Sequence, residues 1–292
     1  NQQSLDISKN RTCGTWQITD LIRGKKPQSI QELDITELGL SNNININLVL
    51  PTNYDDSLET NHFRFYYTLD QESTHAIDSV EYVIAMGDIF EQVWSFFIDT
   101  LNFLPPPGID YLHNKYKIYI ENINPNYFGL TYSINDESDN PGCESYIKMR
   151  NSYSGSVFSD KSEIENIKVT AVHEFFHAIQ FGYNCWEDFW FMEATAVWSE
   201  DELYNNINDL YRYLAQWFSN PNTSIETEGY HMYGTFIFFQ YIDEHLGGPE
   251  TIKNSWQYSN QLSIENDGVS IQAIDKALKD VNSSFDETYH RM

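Results

Sequence analysis

Long apolar runs are missing from this chain of 292 residues. None approaches the roughly 20 residues that a membrane-spanning helix needs, so no span is expected. Basic residues are scarce as well: 17 Lys and Arg stand against 43 Asp and Glu, a formal net charge of −26. A surface of that sign repels nucleic acid and anionic membranes, and no nucleic-acid partner is expected. Cysteine is nearly absent, with Cys13, Cys143 and Cys185 alone. Three thiols allow at most one disulfide and leave one over. Cys143 and Cys185 flank the richest motif of the chain and are the favoured pair if the protein is exported. No leader is visible at the polar start Asn1-Gln2-Gln3-Ser4, which suits a mature secreted fragment or a cytosolic protein. The other end, 283–290, reads as a helix cut short, as where more chain follows.

What is present is a globular share of apolar residues, 41%, with enough length for a real core. Residues 1–60 are polar and irregular, apart from an alternating run at 44–50 that reads as a strand stopped by Pro51. They are expected to form an extension packed onto a catalytic body, residues 61–292. Alternation predicts strands at 62–67, 116–120, 128–132 and 145–149. Apolar positions at helical spacing predict one long helix over 76–103, closed by Pro105-Pro106-Pro107-Gly108. Helical patterns then fill 162–181, 187–204, 206–218, 232–246, 249–258 and 270–281. The fold class is therefore α+β, with a sheet-rich N-terminal half and a helical C-terminal half. The acidic loop 135–140 offers oxygens that suit Ca2+, without the regular spacing of a calcium loop; a solvated turn is the plainer reading.

Residues 170–180 carry the chemistry: Thr170-Ala171-Val172-His173-Glu174-Phe175-Phe176-His177-Ala178-Ile179-Gln180. On a helix, His173 and His177 lie one above the other on one face, so two imidazoles can reach one metal ion. Glu174 turns roughly 100° away from His173, too far round to be a good ligand but well set to act on a water as general base. Val172, Phe175, Phe176 and Ile179 give the helix an apolar side, and Gly182 is expected as its stop. A catalytic zinc site needs a third protein ligand and an open fourth position. Glu193 lies among apolar and small residues on the next helix, where a lone carboxylate is costly unless paired or metal-bound. It is the expected third ligand.

This combination resembles the gluzincin zinc peptidases, the H-E-x-x-H…E branch of the peptidase-MA-like group. Phe191-Met192-Glu193-Ala194-Thr195-Ala196-Val197-Trp198 is similar to the family's aromatic, ligand glutamate and small-residue pattern. Tyr233-Gly234, followed by an apolar helix and Glu244-His245-Leu246-Gly247, looks like the helix that comes next. The likeness spans roughly 165–250 and implies a zincin-like domain, with Zn2+ on His173, His177 and Glu193 and with Glu174 as base and proton shuttle. Some gluzincins carry an Asp four residues after the ligand glutamate to orient the first histidine. Here Val197 stands there, so Glu200 or Asp201 is expected to do that work.

An oxyanion donor is sought among Tyr230, His231 and Tyr233, with Tyr233 preferred. A peptide substrate is expected to lie along a sheet edge, for which 145–149 is the best candidate. His62, His75 and His113 are isolated and receive no role. Cys13 has an inert or disulfide-bonded reading and a sharper one, in which its thiolate fills the open metal position and holds the enzyme latent. The leading expectation is a secreted zinc endopeptidase acting on protein or peptide substrates. A non-catalytic zinc-containing binding protein and a metal-free glycoside hydrolase working with two carboxylates remain open beside it.

Overall fold

The computed structural model describes residues 13–16, 19, 54–109, 114–134, 141–155, 158–263 and 268–292. The expected strand at 44–50, the acidic loop 135–140 and His113 lie outside the described residues. The fold is α+β, with a sheet in the first half and helices in the second.

Among the described residues, five strands form one sheet in the order β1-β2-β3-β5-β4. They are β1 (Asp56–Glu59), β2 (Phe63–Tyr67), β3 (Tyr116–Glu121), β4 (Gly129–Ser133) and β5 (Ser145–Arg150). Pairs β2–β3 and β3–β5 are parallel, while β1 and β4 run antiparallel to their neighbours at the two ends. Strand β1 lies within the stretch expected to be an extension, yet it belongs to this sheet. A parallel pair needs a long crossover, and helix α1 (Val80–Trp94) supplies it between β2 and β3. Phe63 on β2 packs its ring against Phe90 and Trp94 of α1 and against Phe175 of helix α2 (Glu163–Tyr183), so both helices cover one face. Period two sends Tyr66, Tyr119, Tyr146 and Tyr132 to the other face. There they form a ladder of rings across four strands, 4.9–5.4 Å apart.

The sheet order corrects one expectation. Strand β5 is internal, and β4 is the edge. The chain leaves β3, lays β4 on the outside, and returns antiparallel as β5 between them. Strand β4 pairs with β5 as an antiparallel hairpin and so takes the edge beyond it.

Helix α2 begins at a reciprocal cap: Ser162 Oγ accepts from Glu165 N, and Glu165 Oε2 accepts from Ser162 N at 2.8 Å. It is buried on nearly all sides, as a helix wedged between a sheet and further helices must be. It runs past Gly182, which is therefore not its stop; Asn184, extended at φ −154°, ends it. The missing side chain at Gly182 lets Pro107 approach, since a Cβ there would stand 3.1 Å from that ring. The long helix expected over 76–103 is shorter. After Trp94 it widens into a π-helical turn over Ser95–Thr100, and Asn102 at φ 58° turns the chain out before Pro105.

Behind α2 pack α3 (Phe189–Tyr204), α4 (Tyr211–Ser219), α5 (Tyr230–Gly234), α6 (Phe236–His245), α7 (Pro249–Leu262), α8 (Ser270–Asp280) and α9 (Phe285–Arg291). The single helix expected at 232–246 breaks at Thr235. Trp217 of α4 presses on Gly234 there, within 2.7 Å of where a Cβ would be. Phe191 of α3 stacks on Trp256 of α7 at 4.2 Å and ties the two layers together.

Cys143 and Cys185 are bonded, with Cα atoms 5.8 Å apart. Backbone bonds Cys143 N to Phe181 O and Cys185 N to Pro141 O clamp the same junction against the end of α2. The bridge spans 42 residues. Replacing both cysteines with alanine is expected to lower unfolding stability by about 2–4 kcal/mol, read from urea denaturation midpoints.

Candidate metal centre

Helices α2 and α3 pack face to face, and their contact buries the polar groups that the motif predicts. His173 and His177 project from one face of α2 with ring centroids 4.7 Å apart. Their Nε2 atoms lie 3.1 Å from each other. Glu193 Oε2 of α3 sits 3.1 Å from His173 Nε2 and 3.6 Å from His177 Nε2. All three expected ligands therefore converge.

Their outward atoms fix which way the lone pairs face. His173 Nδ1 bonds Glu200 Oε1 at 2.7 Å, and His177 Nδ1 bonds Gln180 Oε1 at 2.7 Å. Gln180 is held in that orientation because its Nε2 donates to Met192 O and Thr195 Oγ1. Both acceptors demand an N–H at Nδ1, which leaves each Nε2 with a lone pair pointing inward. Two lone pairs and a carboxylate oxygen thus face one point, out of water. Among the described residues Glu193 Oε1 has no hydrogen-bond partner, in a side chain only 1% exposed.

A fourth donor enters from the start of the chain. Cys13 Sγ lies 3.5 Å from His177 Nε2. The donor atoms of Cys13, His173, His177 and Glu193 all fall within 4.8 Å of one another. A tetrahedral zinc ion with ordinary bond lengths spaces N and O donors about 3.4 Å apart and places sulfur about 3.6 Å from nitrogen. Four of the six donor separations, at 3.1–3.6 Å, lie close to that spacing. Donor type, burial and separation therefore fit a divalent ion.

The electrostatics carry the same signature. Burial disfavours charge on His173, but bonds to Cys13, Glu193 and Glu200 outweigh it and raise its pKa well above the ordinary value. Burial likewise works against the Glu193 carboxylate, and the two imidazoles nonetheless hold its pKa below normal. The surroundings that draw a proton to His173 equally favour a cation between the two rings, and the Nε2 lone pairs face inward only while the rings are neutral. Burial, with Glu174 and Glu193 beside it, pushes the Cys13 thiol up.

Glu174 is 1% exposed and faces the same space. Its Oε2 accepts from Thr131 Oγ1 of the edge strand at 2.7 Å and from Thr15 Oγ1 at 3.1 Å. Gly129, two residues before Thr131, makes room for it: a Cβ there would stand 2.7 Å from Glu174 Cγ and 2.8 Å from Thr170 Cγ2. Tyr233 of α5 donates its hydroxyl to the carbonyl oxygen of Cys13 at 3.1 Å. Burial, together with Glu193 and Cys13, raises its pKa well above normal, so it stays a donor.

The other candidates lie elsewhere. Tyr230 donates to Arg212 O, and His231 stacks on Trp217. Glu200, not Asp201, orients His173; Asp201 accepts from Asn205 on the outer side of α3. His62 pairs with Glu91, and His75 accepts from Asn122 N. Three contributors were not singled out from sequence: Gln180, Thr131 and Thr15. Gln180 had a signal, three residues after His177 on the same helix face. The two threonines reach Glu174 only through tertiary structure.

Residues 54–267 match a family of unknown function, DUF6055, and the chain belongs to that family. The match takes in α2, α3 and α5 and begins well after Cys13. No curated protein matches the chain.

Glu200→Gln is expected to weaken binding of one Zn2+ per chain by about 10–100-fold in competition with a chelator, because the first histidine loses its orienting charge.

Proposed function

We propose that this chain is a zinc-dependent peptidase of the gluzincin type, hydrolysing peptide bonds with Glu174 as general base. The observation that carries the reading is the convergence of His173, His177 and Glu193, with inward lone pairs, beside a buried carboxylate that is not one of them. Those three residues would hold the ion. When bound, a divalent metal supplies Lewis acidity, which polarises a carbonyl and lowers the pKa of water.

The chain's own residues do the rest. Thr131 fixes the Glu174 carboxylate in a pocket that His173 also lines. Glu174 accepts the water's proton and hands it to the leaving amine. Tyr233 is a permanent donor already bonded to a carbonyl, that of Cys13. A scissile carbonyl in the same place would receive that hydrogen bond as negative charge builds on its oxygen. Substrate would extend along the free side of β4, since the Thr131 N–H points outward and meets Thr15 Oγ1 at 2.8 Å. Backbone pairing there leaves the residues around the cleaved bond to be read by side-chain pockets.

The Cys143–Cys185 bond supports an oxidising compartment, and no described helix is long and apolar enough to cross a membrane. Both suit a secreted enzyme. One observation favours a second reading: with Cys13, the donor set numbers four, as in a closed structural zinc site. A structural site has no use for Glu174 or for the Tyr233 hydroxyl. The glycosidase alternative draws no support, because the Glu193 carboxylate faces imidazoles.

Glu174→Gln is expected to keep one zinc per chain and to lose about 10²–10⁴-fold in turnover of a fluorogenic peptide mixture. Unchanged turnover with metal retained would overturn the reading. Tyr233→Phe is expected to lower kcat about 10²-fold with KM little altered, as for loss of one oxyanion donor.

A further inference from the structure

We infer that Cys13 is a displaceable ligand of the metal centre and that the segment Cys13-Gly14-Thr15 holds the site shut, an inference that rests on the metallopeptidase reading above. A thiol that merely completed a structural site would need one contact. This segment makes three, each on a different working part. Cys13 Sγ joins the donors of His173, His177 and Glu193. Thr15 Oγ1 donates to Glu174 Oε2 and so occupies the base. The Cys13 carbonyl takes the hydrogen bond of Tyr233. Glu193, whose Oε1 is unpartnered among the described residues, belongs to the same buried donor group.

The edge strand is engaged too. Thr15 Oγ1 accepts from Thr131 N, the outward N–H that an incoming peptide would use. The segment thus lies where substrate would, with its carbonyl on the carbonyl donor. Its thiol adds a bond that no substrate supplies. Thr15 N donates to Cys13 Sγ at 3.3 Å and steadies the sulfur. Gly14 permits the close approach: a Cβ there would stand 2.2 Å from Leu130 Cδ2 and 3.0 Å from the Tyr127 ring.

Composition agrees with a device added to the catalytic body. Cys13 is the free cysteine, while the other two are bonded to each other. It also lies outside residues 54–267, the part shared with the family. Opening requires only that sulfur leave the metal and the segment lift off β4. The sulfur–metal bond is exchanged for one to solvent water, the released thiolate takes a proton from water, and no oxidant or reductant is needed.

The test loads the full chain with Co2+ in place of zinc and reads both absorption and metal content. The unaltered protein is expected to show a thiolate-to-cobalt charge-transfer band. Cys13→Ser and, independently, Gly14→Leu are expected to lose the band while keeping one metal per chain and the circular dichroism of the folded protein. The zinc forms of both should cleave peptides at least about tenfold faster than the unaltered chain, the gain for a closed state favoured ten to one. A band absent from the unaltered protein, or surviving Cys13→Ser, would overturn the inference. So would loss of metal from Cys13→Ser, which would make the thiol a structural ligand. If the band is lost and metal kept but no form cleaves any peptide, the ligand exchange stands and the peptidase reading falls.

Discussion

Lone pairs that point at one another inside a protein repel, and water is not there to screen them. His173 Nε2, His177 Nε2 and Glu193 Oε2 are held 3.1–3.6 Å apart in that arrangement. Nothing in the packing lets them turn away. Glu200 and Gln180 lock the far side of each ring, and Gln180 is itself tied to the backbone and side chain of α3. Two imidazole lone pairs and one buried carboxylate so placed call for positive charge between them, as a proton or a cation. Much of the fold's polar wiring follows from keeping those three atoms in place.

The surrounding architecture serves the same end. Helix α2 is buried on nearly every side because it is clamped between the sheet, α1 and α3. The disulfide and its two flanking backbone bonds fix where α2 ends and α3 begins, and so how Glu193 meets the histidines. The edge strand contributes Thr131 to Glu174 and presents an outward N–H beside it. A buried carboxylate, a tyrosine hydroxyl and a strand edge, the parts the proposed peptidase would use, therefore surround one pocket that could hold a cation. That is the composition a peptide-cleaving site needs. The segment from Cys13 to Thr15 meets all of them at once.

Local spacing made much of this legible in the sequence. His173, Glu174 and His177 are set by the helical period alone, and Glu193 by the oddity of a carboxylate among Ala, Thr and Met. Glu200 follows as the acidic group on the same face of α3, once Val197 cannot orient the histidine. The elements were legible to within a few residues wherever period and pattern are strong, as in α2 and β3. What long-range pairing decides was not. The strand order placed β4 outside β5, and no local signal in either strand foretold it. Helix 232–246 is interrupted at Thr235, where Trp217 from another helix packs close against Gly234. The contact of Cys13 with His177 spans 164 residues, so the sequence could raise its chemistry but not its place.

X-ray absorption at the zinc edge of the purified full chain bears most directly on the cation-seeking pocket. One ion per chain is expected, with two imidazole nitrogens, one carboxylate oxygen and one sulfur in its inner shell. A protein that carries no divalent metal after dialysis against zinc, or whose metal sits in a shell of oxygen alone, would contradict it.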